Sequence, residues 1–189
     1  MKRLALILCV MLAACQEEAV QDTTAVPLNP QAIGHYCQME LMEHDGPKAQ
    51  VHLGGLPGAP LFFSQVRDVV AYSRMPEQSH VILAIWVNDM GAAGATWAEP
   101  GINNWIKAED AVFVVGSAIE GGMGAPELVP FSDPAAARNF VDANGGVVMT
   151  LAEIPDAAVL APAVTDTEAP EADSEFEQRL RALSRKTGG

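Results

Sequence analysis

Residues 60–89 read PLFFSQVRDVVAYSRMPEQSHVILAIWVND, and residues 128–154 read LVPFSDPAAARNFVDANGGVVMTLAEI. Each stretch contains a Phe-Ser pair, continues with apolar side chains at helical spacing, and closes in an apolar, β-branched run. Ser64 and Ser132 stand where a helix N-cap is expected, and Pro134 occupies an early helical position that tolerates proline. Each stretch therefore predicts a strand, a helix and a second strand.

A further strand is predicted ahead of each stretch, so each half of the core reads strand, strand, helix, strand. We therefore predict an α+β fold of two similar small ββαβ units packed together, with a disordered N-terminal tether and C-terminal tail. The first unit is placed at residues 31–90 and the second at residues 91–154, and duplication is favoured over chance similarity. The predicted strands are residues 49–53, 60–63 and 80–87 in the first unit, and residues 111–117, 127–131 and 146–153 in the second.

The chain begins MKRLALILCVMLAAC, in which Lys2 and Arg3 precede an apolar run and small residues come before Cys15. This pattern predicts a lipoprotein signal peptide over residues 1–14, too short to span a membrane, with lipidation of Cys15. Several acyl chains would hold the mature protein on a membrane outside the cytoplasm, in the periplasm, whether on the inner or the outer membrane. An uncleaved anchor is the alternative. Residues 15–30, polar with two prolines, are predicted to be a lipidated tether.

The other end of the chain, residues 155–189, is rich in Ala, Pro, Asp and Glu. This composition predicts an acidic disordered tail, with a specific docking peptide as the alternative. The whole chain has 11 basic and 24 acidic residues, a formal net charge of −13. Such a surface argues against nucleic acid as a partner.

Three cysteines are present, and only one remains for chemistry in the soluble part. Cys9 lies in the predicted signal peptide and Cys15 is assigned to lipid, so Cys37 has no partner for an internal disulfide. A lone thiol in an oxidising compartment is vulnerable to oxidation unless something uses or protects it.

That thiol belongs to a sulfur-rich segment, HYCQMELMEHDGPKAQ, at residues 35–50. If the segment is extended, His35, Cys37 and Met39 point to one side. Thiolate and thioether are soft ligands that select Cu(I), with imidazole as an acceptable further donor, whereas zinc usually requires more Cys or His than this segment holds. The alternative is structural, because methionine and free cysteine commonly fill apolar cores.

A second methionine site lies in GSAIEGGMGAPELVPF, residues 116–131, where Met123 sits in a glycine-rich loop. No apolar periodicity surrounds Met123, so it has no evident core to fill. If the two units pack side by side, this loop can approach Cys37.

These residues resemble the NosL family, the lipoprotein accessory factors of nitrous-oxide reductase. The resemblance covers roughly residues 30–155, together with the lipobox. It is carried by the segments Tyr36-Cys37-Gln38-Met39, Glu43-His44, Gly46-Pro47-Lys48-Ala49-Gln50, Gly122-Met123-Gly124 and Pro130-Phe131-Ser132. This sequence departs from the family pattern at Gln38, where glycine is common, and at Asp45, where proline is frequent.

The resemblance implies a periplasmic Cu(I)-binding protein built of two related ββαβ units. It would deliver copper to nitrous-oxide reductase or to its membrane-bound copper-assembly complex, and ligand exchange is the transfer mechanism we hypothesise. By the resemblance, Cys37, Met39 and Met123 are sulfur ligands. His35 or His44 is the candidate nitrogen donor.

Two other functions remain open from sequence. One is a thiol enzyme with Cys37 as nucleophile and His35, His44 or His52 as base, although no glycine-rich elbow or oxyanion motif surrounds the thiol. The other is a lipoprotein that binds no metal and acts as an assembly partner. Its interaction surface would include three tryptophans and residues 88–110. The tryptophans are Trp86, Trp97 and Trp105.

Overall fold

The computed structural model describes residues 20–161. The predicted signal peptide, Cys15 and most of the predicted tail therefore lie outside the described residues. The strands are β1 (Ala49–Leu53), β2 (Leu61–Phe63), β3 (Ile82–Asn88), β4 (Trp105–Lys107), β5 (Val112–Val115), β6 (Val129–Phe131) and β7 (Val147–Thr150). The helices are α1 (Val66–Arg74), α2 (Pro134–Asn144) and α3 (Asp156–Leu160), and a short 3-10 turn covers Leu41–Glu43.

The strands form two antiparallel sheets, ordered β2-β1-β3-β4 and β6-β5-β7. In the first sheet β1 lies between β2 and β3, and in the second sheet β5 lies between β6 and β7. In each unit a helix joins the second strand to the third. This common topology confirms the predicted α+β fold with two ββαβ units.

Strand β4 is a feature that the sequence did not predict. It lies in the range assigned to the second unit, yet its backbone pairs with β3, placing Lys107 opposite Trp86 and Trp105 opposite Asn88. The boundary at residues 90 and 91 stays a prediction, and β4 favours placing it after Lys107. With three residues, the strand has too little periodicity to be recognised locally.

The N-caps of α1 and α2 each lie one residue later than the predicted serines. The N-cap of α1 is Gln65, and the N-cap of α2 is Asp133, whose side chain accepts a hydrogen bond from the Ala135 N–H at 2.8 Å. A residue before proline avoids helical backbone angles, so Pro134 makes Asp133 the last extended residue. Ser132 instead donates its hydroxyl to the carboxylate of Asp89.

The main apolar core runs through both units. Val51 and Phe63 of the first sheet pack with Val66 and Val70 of α1, and the same cluster continues to Phe113 of the second sheet. A smaller cluster under α2 holds Val114, Val129, Phe131 and Ala137. Since each fully buried side chain of this size contributes about 1.5–3 kcal/mol, the shared cluster fixes the two units against each other.

The predicted tether is docked for much of its length. We call residues 21–28 the N-terminal strap. The amide of Gln50, buried in β1, accepts from the Val26 N–H at 2.8 Å and donates to the Val26 carbonyl at 2.9 Å. The indole N–H of Trp86 donates to the Thr23 carbonyl at 2.8 Å, and Leu28 is buried. A buried amide needs hydrogen-bond partners, and the strap supplies them to Gln50, which is why it does not remain free.

The predicted tail is ordered at its beginning. Helix α3 buries Val159 against the main core, and the Arg74 guanidinium donates to the Ile154 carbonyl at 2.8 Å and to the Asp156 carboxylate at 2.9 Å. The prediction of disorder from residue 155 was therefore wrong for residues 156–160. Within residues 20–161, none of the helices has the length and apolar character needed to cross a membrane.

The buried side chain of Asp89 joins the two units where β3 ends. Its carboxylate accepts hydrogen bonds from the Gly91 N–H at 2.9 Å, from the Ser132 N–H at 3.1 Å and from the Ser132 hydroxyl. Ser132 immediately precedes the N-cap of α2. One carboxylate thus orients the end of the first sheet relative to the start of the second helix.

Replacing Asp89 by Ala is expected to lower the free energy of unfolding by about 2–4 kcal/mol, because three donors lose a charged acceptor in a largely buried site. Urea unfolding of the chain without its signal peptide, followed by circular dichroism, measures the loss. Asp110→Ala, which removes an exposed carboxylate, is the matched control. Equal stability of the two variants would contradict this role for Asp89.

Candidate metal centre

The backbone folds back on itself around Cys37. The Gly34 N–H donates to the Met39 carbonyl at 2.9 Å, and the Gln38 N–H donates to the Gly34 carbonyl at 3.0 Å. Gln38 has a φ of 55°, in the left-handed region that side chains disfavour. The expectation of an extended segment, with Cys37 and Met39 on one side by alternation, was therefore wrong. The reversal at Gln38 sets the direction of the two sulfur side chains instead.

Gly34 leaves room for the thiol inside this turn. A Cβ atom at residue 34 would lie 2.4 Å from Cys37 Sγ, a separation that real structures do not tolerate. The thiol lies 3.9 Å from the Met39 carbonyl oxygen, and the Cys37 side chain is half-buried. Any larger residue at position 34 would displace the sulfur or open the turn.

The two candidate methionine ligands are on the surface. Met39 is 41% exposed and Met123 is 45% exposed. A methionine that serves as core filler is buried on most sides, so packing alone does not account for either side chain. Their thioethers are accessible to a soft ion or to an incoming ligand.

The loop that carries Met123 lies against the segment that carries His44. A Cβ atom at Gly122 would stand 2.8 Å from His44 Cβ and 2.7 Å from the Asp45 carbonyl oxygen, so glycine is required for this close approach. The loop is closed by a hydrogen bond from the Gly121 N–H to the Ala125 carbonyl at 2.8 Å. The structure thus brings Gly122, next to Met123, against the segment that carries His44, while the approach of Met123 to Cys37 stays a prediction.

The two candidate histidines have different surroundings. The ring of His35 packs edge-on against Phe63 and Tyr72, with centroid distances of 5.5 and 5.6 Å, inside an aromatic cluster. The Nε2 atom of His44 is buried and, within the part of the chain that the structure describes, has no hydrogen-bond partner. Because an unpaired buried nitrogen costs about 1–3 kcal/mol, His44 is the histidine with a donor atom that a metal could use.

Lys48 donates hydrogen bonds to three backbone carbonyl groups of the sulfur-rich segment, which leads into β1. Its buried ammonium donates to the carbonyl oxygens of His44 at 2.6 Å, Asp45 at 3.2 Å and Gly46. An ammonium has three protons to donate, so this set matches its capacity. Burial lowers the pKa of Lys48 to about 8, and the charges of Glu127, Asp45 and Cys37 act in the opposite direction. The cation therefore lies within electrostatic range of the Cys37 thiol.

Gln65 and Glu127 support the Met123 loop from below. The Gln65 side-chain oxygen accepts from the Met123 N–H at 2.9 Å. Glu127 Oε1 accepts from the N–H groups of Arg67 at 2.9 Å and Leu128 at 2.8 Å. The other polar atoms of both side chains, Gln65 Nε2 and Glu127 Oε2, are buried beside Gly121 and have no hydrogen-bond partner among the described residues. Burial raises the pKa of Glu127 to about 8.

Sequence reasoning did not identify four of these residues as part of the site: Gly34, Lys48, Gln65 and Glu127. Lys48 lies inside the Gly-Pro-Lys-Ala-Gln run, so a charged residue directly before a buried strand was the available signal. Gln65 and Glu127 gave no signal, because their partners are distant in the sequence.

The donor set favours a soft ion. Across residues 20–161, no three His, Cys, Asp or Glu side chains are grouped so that they could hold a metal ion. The candidate donors in these two loops are a thiol, thioethers and an imidazole, which are ligand types suited to Cu(I).

Comparison with known proteins places these features in one family. Residues 25–159 match the family model described as NosL. The chain is 56% identical over 179 residues to the copper-binding lipoprotein NosL of Achromobacter cycloclastes, covering 95% of this chain and 92% of that protein. It is 30% identical over 165 residues to the copper-binding lipoprotein NosL of Stutzerimonas stutzeri, covering 86% and 83% of the two chains.

A solved structure agrees with the fold. The crystal structure of the copper chaperone NosL from Shewanella denitrificans superposes with a TM-score of 0.66 at 29% identity. The match covers 72% of this chain and 98% of that one. The same overall fold is therefore present in a protein described as a copper chaperone.

The pH dependence of stability tests the burial of Glu127. Since its pKa is raised from 4.5 to about 8, the folded protein keeps a proton that the unfolded chain releases above about pH 4.5. This group therefore makes the free energy of unfolding fall as the pH rises from about 5 to 8. Lys48, with a pKa lowered from 10.5 to about 8, contributes the opposite slope only above about pH 8.

Glu127→Gln keeps an oxygen for the two N–H donors and has no proton to lose, so it is expected to flatten the decline between about pH 5 and 8. Urea unfolding at several pH values in this range measures the slope. Glu120→Gln, at an exposed carboxyl group in the same loop, is the control. An unchanged slope in Glu127→Gln would show that Glu127 is already ionised in the folded protein.

Proposed function

The chain belongs to the NosL family, and from this premise we propose that it is a periplasmic, lipid-anchored Cu(I) chaperone that delivers copper for the maturation of nitrous-oxide reductase. Cys37, Met39 and Met123 are the proposed sulfur ligands. His44 is the proposed nitrogen donor in preference to His35. The copper is cargo that the protein receives and passes on.

One observation carries this proposal: the loop of Met123 packs directly on His44 and Asp45. This contact between the two units supports a site in which Met123 of the second unit and the donors of the first unit share one ion. The names of the relatives from Achromobacter cycloclastes and Stutzerimonas stutzeri, both copper-binding lipoproteins, support the same reading. Soft donors of this kind favour Cu(I) over Cu(II) or zinc.

The exposure of the thioethers suits transfer by ligand exchange. Met39 and Met123 are neutral ligands on mobile side chains with about half of their surface in solvent. A sulfur or imidazole of the recipient can enter on that side before the old ligands leave, so the ion need not be released to water. The thiolate of Cys37, held in its turn, is the donor that retains the ion until the exchange is complete.

The proposal also includes a lipid anchor on Cys15 and a recipient for the copper at the membrane. The relatives are named lipoproteins, and the sequence before the described residues carries Cys15 in a lipobox pattern. Lipid on Cys15 would keep the chaperone at a membrane, where it meets either nitrous-oxide reductase or its membrane-bound copper-assembly complex. The acidic surface of the chain makes nucleic acid an unsuitable partner.

The surroundings of the thiol favour cargo binding over thiol catalysis. A cysteine nucleophile requires an imidazole within hydrogen-bond reach. The hydrogen bond that Cys37 Sγ makes is with the Met39 carbonyl, while the His35 ring packs against Phe63 and Tyr72. A lipoprotein with sulfur only in its core would bury Met39 and Met123, and both are exposed.

An anaerobic titration of Cu(I) against a coloured chelator tests the proposed ligands. We expect one tight site in the chain that starts at Gln16. Cys37→Ala and Met123→Ala should each weaken binding by more than the roughly 10- to 100-fold that the loss of an outer-shell partner causes. Met149→Leu, at a methionine of β7 that lies opposite Phe113 in the second sheet, is the control and should bind as the unaltered protein does. Full affinity in Cys37→Ala would refute the copper site.

Gln65 is expected to act through Met123, because its side chain accepts the Met123 N–H. Gln65→Ala should weaken Cu(I) binding by about tenfold, as loss of an outer-shell partner does. In a double-mutant cycle, the same change should have no further effect once Met123 is Ala. Additive losses would show that Gln65 affects the whole domain and does not position Met123.

A further inference from the structure

We propose that one end of the domain rests on the lipid bilayer and that the N-terminal strap turns the sulfur ligands away from it. The contact surface consists of Val20, Leu56, Val81 and Leu83, which we call the apolar tip. The inference rests on the lipid anchor proposed for Cys15 and is independent of copper binding.

The point at which the chain first docks is fixed by Gln21. Its side-chain amide donates to the Leu53 carbonyl at 2.8 Å and accepts from the Gly55 N–H at 3.1 Å. Six peptide links separate Cys15 from Gln21, and an extended chain of that length spans at most about 22 Å. A lipid on Cys15 therefore keeps the Leu53–Gly55 end of the first sheet within about 22 Å of the membrane surface.

From Gln21 the strap runs along the first sheet toward its other end. Thr23 bonds to Trp86, Val26 bonds to Gln50, and the Leu28 N–H donates to the Ile102 carbonyl at 2.9 Å. Leu28 then packs with Leu41 of the sulfur-rich segment, residues 35–50, which is the proposed metal-binding segment.

The metal-binding segment is attached at that opposite end. The Gly34 backbone bridges to Phe62, and Lys48 directly precedes β1, whose first residue is Ala49. In a strand the Cα atoms of Ala49 and Leu53 are about 14 Å apart. The Cys37 turn and the docking point of Gln21 therefore lie at opposite ends of β1.

The surface around the docking point of Gln21 is apolar and exposed, as contact with a bilayer requires. All four side chains of the apolar tip are exposed. Val81 and Leu83 lie beside Gly54, whose Cβ position would be 3.5 Å from Val81 Cβ and 4.0 Å from Leu83 Cδ2. The Leu56 N–H donates to the Leu53 carbonyl, and Val20 precedes Gln21, so all four residues belong to the end of the sheet at which the chain docks.

The chain segments that form this end carry no charge of their own. Residues 53–60 and 81–83 contain no charged side chain, and the nearest charged groups include Lys107 and Glu109, which line a pocket with Leu83. Anionic lipids repel an acidic surface and do not repel an uncharged one. An exposed apolar patch beside a lipidated terminus is therefore matched to the headgroup and acyl boundary.

This orientation has a consequence for transfer. With the tip on the bilayer, Met39 and Met123 face the aqueous compartment, so the recipient of the copper must present its ligands from a domain outside the membrane.

Photocrosslinking to lipid tests the orientation. The chain starting at Cys15, with Cys37→Ala so that one thiol remains, is coupled through Cys15 to a maleimide lipid in vesicles of phosphatidylethanolamine and phosphatidylglycerol. p-Benzoylphenylalanine replaces Val81 or Leu56 at the tip, and Ile33 or Met42 at the opposite end. Leu56, Ile33 and Met42 are matched in exposure, at 40%, 45% and 48%. After irradiation, mass spectrometry measures the lipid adduct at each position.

Several-fold more lipid adduct at positions 56 and 81 than at 33 and 42 is the expected result. Equal adduct at the two ends, or more at 33 and 42, would overturn the proposal. Val81→Glu should reduce the adduct at position 56, and an unchanged yield in that variant would also count against contact between tip and lipid. Circular dichroism shows that each variant is folded.

The chemical anchor keeps this test separate from natural lipidation. Incorporation of labelled palmitate into the full chain, with Cys15→Ser as control, tests the proposed lipid anchor. The copper titration tests the proposed cargo. Failure of either would leave the crosslinking result intact as a measure of which end of the tethered domain meets the bilayer.

Discussion

The ammonium group of Lys48 is buried at the point where the sulfur-rich segment, residues 35–50, enters the first sheet. Its three protons go to the carbonyl groups of residues 44–46, while its own backbone N–H and carbonyl bond to Asn88 at 2.9 and 3.0 Å. Glu127 of the second unit lies within its electrostatic range. Lys48 therefore connects the sulfur-rich segment with strand β3 and, through electrostatic attraction, with the second unit. Without that cation, three carbonyl groups that face the interior would lose their donor, and residues 44–46 would have no reason to keep the path on which the Met123 loop packs.

The same region carries unfavourable terms that the fold must offset. Burying a lysine and a glutamate requires desolvation, and the two pKa values move toward each other for that reason. Gln65 and Glu127 also leave polar atoms beside Gly121 without partners in the described part of the chain. The shared apolar core, from Val51 through Phe113 to Val159, supplies the stability that such a site consumes. Polar groups are placed here at a cost to stability because they hold the two loops that carry the proposed ligands.

Local pattern was enough to predict the repeated ββαβ order, because helix periodicity and β-branched runs are properties of adjacent residues. Strand β1 was predicted to the residue, since Ala49–Leu53 is bounded by proline and glycine. The features that escaped prediction depend on distant partners. The strap docks because Gln50 is buried, β4 exists because β3 offers it a backbone edge, and the role of Lys48 depends on carbonyl groups that only the folded loop directs inward. The Cys37 turn escaped because alternation assumes an extended backbone, and a single left-handed residue ends the alternation.

That left-handed residue also accounts for one of the two departures from the pattern expected by the resemblance, and the bonding of Lys48 accounts for the other. Gln38 occupies a position where glycine is common, and its φ of 55° is the conformation that glycine adopts without strain. The strain in Gln38 is about 1–2 kcal/mol, and it is offset in part by its side-chain amide, which donates to the His35 carbonyl at 2.6 Å. Asp45, where proline is frequent, contributes its carbonyl to Lys48, and proline has the same carbonyl to offer. At both positions the feature that the site uses belongs to the backbone: the φ of residue 38 and the carbonyl of residue 45. The proposed donor set is unchanged by either departure, because its sulfur atoms are placed by the turn at Gln38 and by the glycine at position 122.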